Sequence, residues 1–345
     1  MREDITSLNW IITDLARTKK AVIIMGCSYA MGKGAYDSDL VAECRPKRLE
    51  HWGECNYQGH DFSLTELSYY AEKYDLDIWD GMLMTHSMEK QNSFGYQLCT
   101  KYLNSEYTPV IIGGEGKGNY SNVDKLNWLP IPWEKLDDIK VIWSITDVVR
   151  TDFFSGGIWD GQGQRVFPED TQAHYKTRWP FDHADTDQFS KEYNRMIRED
   201  DPQNDPTLTN YLATNFLRLL SNVHNWCKAH NAEFLMFDAF TESYNPKSLT
   251  YMFPNSMADS ELLQNFIYNL PWESKIKLNM NKTFFDLAMS NETTYDYMLE
   301  DKHNMWEFVQ IPEEDITCEW LMPCGHPSAK AHDLLAQILS EKIET

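Results

Sequence analysis

The chain predicts an α/β protein built on a parallel sheet, and three observations carry that expectation. Four short apolar runs rich in β-branched and aromatic residues read as buried strands: Ala21-Val22-Ile23-Ile24-Met25, Val110-Ile111-Ile112, Lys140-Val141-Ile142-Trp143-Ser144-Ile145-Thr146 and Glu233-Phe234-Leu235-Met236-Phe237-Asp238. Helical patterns stand between or beside them, as parallel crossovers require. The chain then closes on an amphipathic helix.

Taken in order, residues 5–16 read as an amphipathic helix leading into the first strand. That strand ends in Gly26-Cys27-Ser28-Tyr29-Ala30-Met31-Gly32. Glycine permits an unusual backbone there and lets other groups approach closely. Ser28 is thereby placed like a nucleophile, at the carboxyl end of a strand where open α/β sheets hold their ligands. Residues 93–103 have the length and pattern of a helix, and the strand at 110–112 runs into Gly113-Gly114-Glu115-Gly116-Lys117-Gly118-Asn119. Read as a phosphate cradle, this turn lacks the Gly-Lys-Ser/Thr ending and an acidic residue for a ribose, so a nucleotide site is disfavoured. The third strand, 140–146, is followed by Asp147-Val148-Val149-Arg150. A helix over residues 208–230 precedes the fourth strand.

At the far end stands Met322-Pro323-Cys324-Gly325-His326-Pro327-Ser328, followed by a helical pattern in which Leu334, Leu335, Ile338 and Leu339 share one face. Pro327 and Ser328 suit the start of that helix. His326 is then expected on the loop just ahead of it, with His332 six residues on, inside the helix.

Together the two ends resemble the SGNH (GDSL-like) hydrolase family, in a divergent branch of the kind found in phage and environmental sequences. The resemblance rests on the Gly-x-Ser-x-x-x-Gly turn after an N-terminal strand and on the His-Pro-Ser loop before a C-terminal helix. It implies a three-layer αβα sandwich with a flavodoxin-like parallel sheet. It further implies Ser28 as nucleophile and His326 as its general base. The oxyanion donors it implies are the Ser28 N–H, a glycine N–H around Gly116 to Gly118, and Asn119 or Thr146. Thr146 replaces the asparagine of the family's usual third block. The family's acid stands two or three residues before the histidine, where this chain has Cys324 and Pro323. Cys324 is a poor orienting group, because a thiol near its ordinary pKa is mostly neutral at pH 7. A backbone carbonyl holding His326 would leave a Ser-His dyad.

Composition narrows the partners. A formal net charge of −22 argues against nucleic acid or an anionic membrane, since phosphate binding needs clustered Lys and Arg. No run of eighteen apolar residues exists, and the first residues lack the basic-then-apolar plan of a signal peptide. Seven widely spaced cysteines fit a reducing compartment better than a disulfide framework. The expectation is synthesis in the cytoplasm, which a virion protein would share, with a homo-oligomer or virion assembly as the larger state.

The resemblance is to one domain spanning residues 1–345, with long irregular insertions over roughly 35–91, 155–206 and 244–319. The first holds Cys44, His51, Cys55 and His60, whose spacing matches no common zinc finger, so neither metal nor cofactor is expected. The second gathers Trp159, His174, Tyr175, Trp179, Phe181 and His183, residues suited to stacking on sugar rings or to a local core. The reading that follows is an esterase or deacetylase acting on acyl groups of a carbohydrate or another small ester. Its alternative is a catalytically inactive domain of the same type with a structural or glycan-binding role, for instance in a phage particle.

Overall fold

Leu8–Thr18 (α1) buries Ile11 and Leu15, four residues apart on one face, and leaves Leu8 and Ile12 exposed. Lys19 adopts φ +54° and its N–H closes on the Leu15 carbonyl at 2.9 Å, a left-handed cap that ends the helix and starts the first strand. This geometry comes from a computed structural model that describes residues 8–32, 35, 88–113, 118–146, 151–154, 158–159, 165–166, 175–178, 207–239, 283–289, 320 and 326–343.

Along the chain, Lys20–Met25 forms β1, with every residue after Lys20 buried. Gly26 follows at φ +152°, a conformation side-chain-bearing residues rarely adopt, and the chain turns into the short helix Ser28–Met31 (α2). Residues 88–92 are helical, and Ser93 then caps a new helix, Phe94–Gln97 (α3), its Oγ accepting from the Tyr96 N–H at 3.4 Å. Leu98–Tyr102 continues as one π-helical turn. Thr108–Ile111 is β2, Asn119–Trp128 is α4, and Asp138–Ile145 is β3. Four short strands come next: Thr151–Phe154 (β4), Ile158–Trp159 (β5), Arg165–Val166 (β6) and Tyr175–Arg178 (β7). Thr207–Ala229 (α5), Glu233–Asp238 (β8), Phe284–Met289 (α6) and Ala329–Ile343 (α7) complete the described elements.

The sheet is small, all-parallel and four-stranded, in the order β2-β1-β3-β8. β3 and β8 pair in parallel from Lys140 opposite Glu233 to Ile145 opposite Asp238. The first of these pairs also places Lys140 Nζ 2.7 Å from the Glu233 carboxylate. The α/β class expected from the strand runs is therefore present.

The chain divides into two compact units. One comprises residues 1–22, 28–111 and 278–345; the other comprises 23–27 and 112–277. In the first, α7 packs on α3 and the π turn, and its Ala331, Leu335, Ala336 and Leu339 are buried. Thr108 joins β2 to α1: its Oγ1 lies 2.8 Å from Asp14 Oδ2 and 2.7 Å from Thr18 Oγ1. In the second, Val141, Trp143 and Ile145 of β3 and Phe216, Leu220 and Val223 of α5 are buried.

Four expectations need correction. Residues 93–103 form a capped helix and a π turn rather than one regular helix. The wider turn accompanies the reach of Lys101 Nζ (2.6 Å) and Tyr102 OH (3.0 Å) to Asp333 of α7. The insertion at 155–206, expected to be irregular, contains β-structure: β5 pairs antiparallel with β6, and β7 pairs antiparallel with β4 just before it. The stretch 244–319 includes the helix α6. Finally, the buried face of α7 is partly turned from the expected one. Leu335 and Leu339 are buried as expected, together with Ala331, His332, Ala336 and Ser340, while the other two expected residues, Leu334 and Ile338, are only half-buried.

Gly32 yields a prediction. Its φ is +86°, and an added Cβ would collide with the Glu89 carbonyl and lie 2.6 Å from Ser93 Cβ. Backbone strain and overpacking then add, and Gly32→Ala is expected to cost roughly 3–5 kcal/mol by urea denaturation. A loss below about 1 kcal/mol would show that this close approach is absent in solution.

Candidate active site

Two segments distant in sequence meet within the first unit. Ser28 opens α2, delivered by β1 and the glycine turn, and is buried. His326 stands just ahead of α7. Its neighbour Pro327 carries no N–H, and Ser328 anchors the junction twice: its N–H donates to the Trp320 carbonyl at 2.9 Å, and its Oγ accepts from the Ala331 N–H at 3.4 Å. This arrangement puts His326 Nε2 2.9 Å from Ser28 Oγ. With the serine hydroxyl donating, Nε2 is the acceptor and Nδ1 carries the ring proton. That is the geometry in which an imidazole can take a proton from a nucleophile.

A file of rings backs this pair. Tyr29 lies 5.3 Å from His326 and 5.9 Å from Phe284, centroid to centroid. Phe284 in turn meets His332 edge-on at 5.1 Å, and Phe94 stacks nearly parallel to His332 at 5.9 Å. His332 is fully buried and its Nδ1 accepts the Phe94 N–H at 3.1 Å. The proton of the neutral ring therefore sits on Nε2, which has no hydrogen-bond partner. Burial first, and then the nearby His326, push the His332 pKa down to about 3, with Glu89 pulling the other way. His332 is thus a neutral strut at ordinary pH.

Asn119 and Thr146 belong to the second unit, where they clamp one another: Asn119 Nδ2 donates to the Thr146 carbonyl at 3.0 Å, and the Thr146 N–H donates to Asn119 Oδ1 at 3.1 Å. The amide thereby occupies the backbone groups of the residue just past the end of β3, as a neighbouring strand would. Thr146 Oγ1 is buried and has no hydrogen-bond partner. Gly118 precedes α4 with extended backbone, and its carbonyl accepts from Ser121 Oγ at 3.2 Å and Asn122 Nδ2 at 2.9 Å. Gly116 and Cys324 lie outside the described residues, as do Cys44, His51, Cys55 and His60. Among the described residues no group of three or more His, Cys, Asp or Glu is placed to hold a metal ion. No helix among them is long and apolar enough to cross a membrane.

Sequence reasoning missed the strut role of His332, the Asn119–Thr146 clamp and the buried carboxyl of Glu89. The first had a signal: His332 shares the stripe with Leu335, Ala336 and Leu339, so a histidine interrupts an apolar face. The clamp had none, because an asparagine bonded to a backbone 27 residues away leaves no local pattern.

His332 predicts a pH dependence of stability. The unfolded ring, near 6.5, binds a proton that the folded ring, near 3, refuses. Stability is therefore fully present above about pH 6.5 and falls as pH drops toward 3, by up to ~1.4 kcal/mol per pH unit for this one group. His332→Asn keeps an acceptor for the Phe94 N–H and removes the titration. Urea denaturation between pH 4.5 and 7.5 should therefore show a shallower acid limb in the variant; equal limbs would contradict the neutral buried ring. Comparison of the chain with protein-family models, with curated proteins and with solved structures finds no match.

Proposed function

We propose that this protein is a serine ester hydrolase of the SGNH type, acting on acyl groups of a carbohydrate or another small ester. The observation that carries the reading is the 2.9 Å separation of His326 Nε2 and Ser28 Oγ, two side chains 298 residues apart in sequence. The strand order second-first-third-fourth supports it, because that is the order of a flavodoxin-like sheet, the core of the three-layer sandwich the reading requires. Gly26, at φ +152°, supports it too, giving the turn that lifts Ser28 off the end of β1.

The chemistry follows from the pair. Ser28 Oγ attacks the acyl carbonyl carbon while His326 Nε2 takes the hydroxyl proton, giving a tetrahedral intermediate with its charge on the former carbonyl oxygen. The imidazolium then returns that proton to the leaving alcohol as the C–O bond breaks. Water, deprotonated by the same nitrogen, attacks the acyl-serine, and the acid departs with Ser28 restored. The developing oxyanion needs fixed donors. The Ser28 N–H is one, and the family resemblance assigns others to Gly116, Gly118, Asn119 or Thr146.

A second reading, binding without turnover, is favoured by Pro323 and Cys324 in the place of an acid. It is the reading of a structural or glycan-binding domain, such as a virion component.

The two readings separate on a reagent. Wild-type protein should label with a fluorophosphonate and release p-nitrophenol from p-nitrophenyl acetate. Ser28→Ala should abolish labelling, and Ser28→Ala and His326→Ala should each reduce turnover by about 10³-fold or more, with little loss of stability. Wild-type protein that neither labels nor turns over would leave the binding reading standing.

A further inference from the structure

Trp128 is the most open large hydrophobic side chain among the described residues, at 71% exposed. It closes α4, which packs on α5 and β4 and turns Asn119, Asn122, Val123 and Leu126 inward, all buried. Tyr120, Asp124 and Trp128 follow one another at four-residue intervals on the other side, forming one ridge that winds slowly along the helix. Tyr120 is 47% exposed and Asp124 is half-buried. The indole is open but not loose: Trp128 Nε1 donates to Asp124 Oδ1 at 3.1 Å, one turn back. The one polar atom of the ring is thus satisfied by the protein itself, and the ring is held in place before anything binds.

Size and charge narrow what this ridge fits. Full burial of a Tyr and a Trp removes roughly 150–250 Å² each, well under the ~800 Å² per partner of a stable protein interface, so the ridge is matched to a small ligand. A second copy would also bring the same net charge of −22. The ring faces carry the negative side of their quadrupole and Asp124 adds a carboxylate, so an anionic ligand is repelled. A small cation must sit within ~6 Å of a ring centroid. Tyr120 and Trp128 stand about 12 Å apart along the axis, and side chains on a helix lean the same way, so one such ion meets one ring. The complement of the whole ridge is a neutral, elongated molecule. It presents polarised C–H groups to two spaced rings and O–H donors to the carboxylate between them.

We propose that the Tyr120–Asp124–Trp128 ridge of α4 is a binding site for a neutral oligosaccharide, with pyranose rings stacked on Trp128 and Tyr120 and hydroxyls directed at Asp124. The choice of a sugar rests on the carbohydrate reading above and deepens it, because this site holds the glycan chain rather than the ester. It serves the glycan-binding alternative equally. Stacking on one face of a ring needs no groove, so the convex side of a helix suffices. A Trp already held by Asp124 loses little freedom on binding, which suits it to such a contact.

The test is an NMR titration of full-length protein labelled at the tryptophan indole nitrogens, with chitopentaose and cellopentaose as probes. Trp128→Phe identifies the Trp128 resonance by its loss. At least one pentasaccharide should move that resonance saturably, in low and high salt alike, since no charge is paired. By calorimetry, Trp128→Ala should weaken binding about tenfold or more, and Trp128→Phe, which keeps a ring but loses the bond to Asp124, by less. Tyr120→Ala should weaken the pentasaccharide about threefold or more and leave the matching disaccharide, too short to use both rings, unchanged. Trp128→Ala should keep the wild-type unfolding midpoint and the wild-type turnover of p-nitrophenyl acetate, an ester with no glycan to hold. An unmoved Trp128 resonance with both sugars, or a Trp128→Ala variant that binds as well as wild type, overturns the proposal. A response to choline or to a polyproline peptide without a response to sugar overturns it as well. Sugar binding without esterase activity leaves the site standing while the hydrolase reading falls, and turnover of p-nitrophenyl acetate without sugar binding does the reverse.

Discussion

The hydrogen bond from the Phe94 N–H to His332 Nδ1 is the constraint on which the candidate site depends. It is made in a fully buried, ring-lined place, where an unpaired amide would cost about 1–3 kcal/mol, so α7 has a strong reason to dock in one register. Residues on a helix advance by 100° each, and slipping α7 by one position would swing His332 off Phe94 and carry His326 away from Ser28. Lys101 and Tyr102 fix the outer edge of the same helix through Asp333, but that pair is half-exposed and contributes little. The buried neutral bond, rather than the visible ion pair, sets the position of His326.

This arrangement explains why two histidines six residues apart behave differently. His332 is enclosed by Phe94 and Phe284, gives its Nδ1 lone pair to a backbone N–H, and is held neutral by burial. His326 sits outside the helix, on a residue followed by proline, where its ring meets a hydroxyl and the Tyr29 ring. The same side-chain type serves as a buried strut in one place and as the hydrogen-bond partner of Ser28 in the other, and only the surroundings differ. The orphaned Nε2 proton of His332 is the cost of that strut, a local conflict of the kind proteins tolerate beside functional sites.

Much of the sheet was legible because β-branched runs announce themselves. The expected strand 233–238 coincides with Glu233–Asp238, and the helix expected over 208–230 is Thr207–Ala229. Ser28 and His326 were legible for a similar reason, as special turn chemistry next to regular elements: a glycine turn after a strand, a proline before a helix. What escaped had no period to read. Asn119–Trp128 is a helix with three asparagines, a serine and no clear apolar stripe, stabilised by burying Val123 and Leu126 and by Asn122 bonding back to Gly118. Glu89 was invisible too, because burial of a carboxyl depends on what packs over it and leaves no trace in the neighbouring letters. The face of α7 was legible in part: Leu335 and Leu339 are buried as expected, but the buried stripe runs on through Ala331, His332 and Ala336, not through Leu334 and Ile338, because it depends on what packs over it.

A Ser-His pair with no acid beside it in sequence can still be organised by its surroundings. A third residue in such a site does two separable things: it fixes the ring tautomer and plane, and it lowers the free energy of the charged ring. Orientation needs only packing and an acceptor of ordinary polarity, and the Tyr29 ring, Pro327 and the twice-anchored Ser328 already restrict His326. Charge compensation needs an anion, but Coulomb interactions fall off only as 1/r in a low-dielectric interior, so the anion need not touch the ring. The two duties can therefore be met by different parts of a chain. A site organised this way would give up some catalytic power, since a distant carboxylate stabilises less than a bonded one.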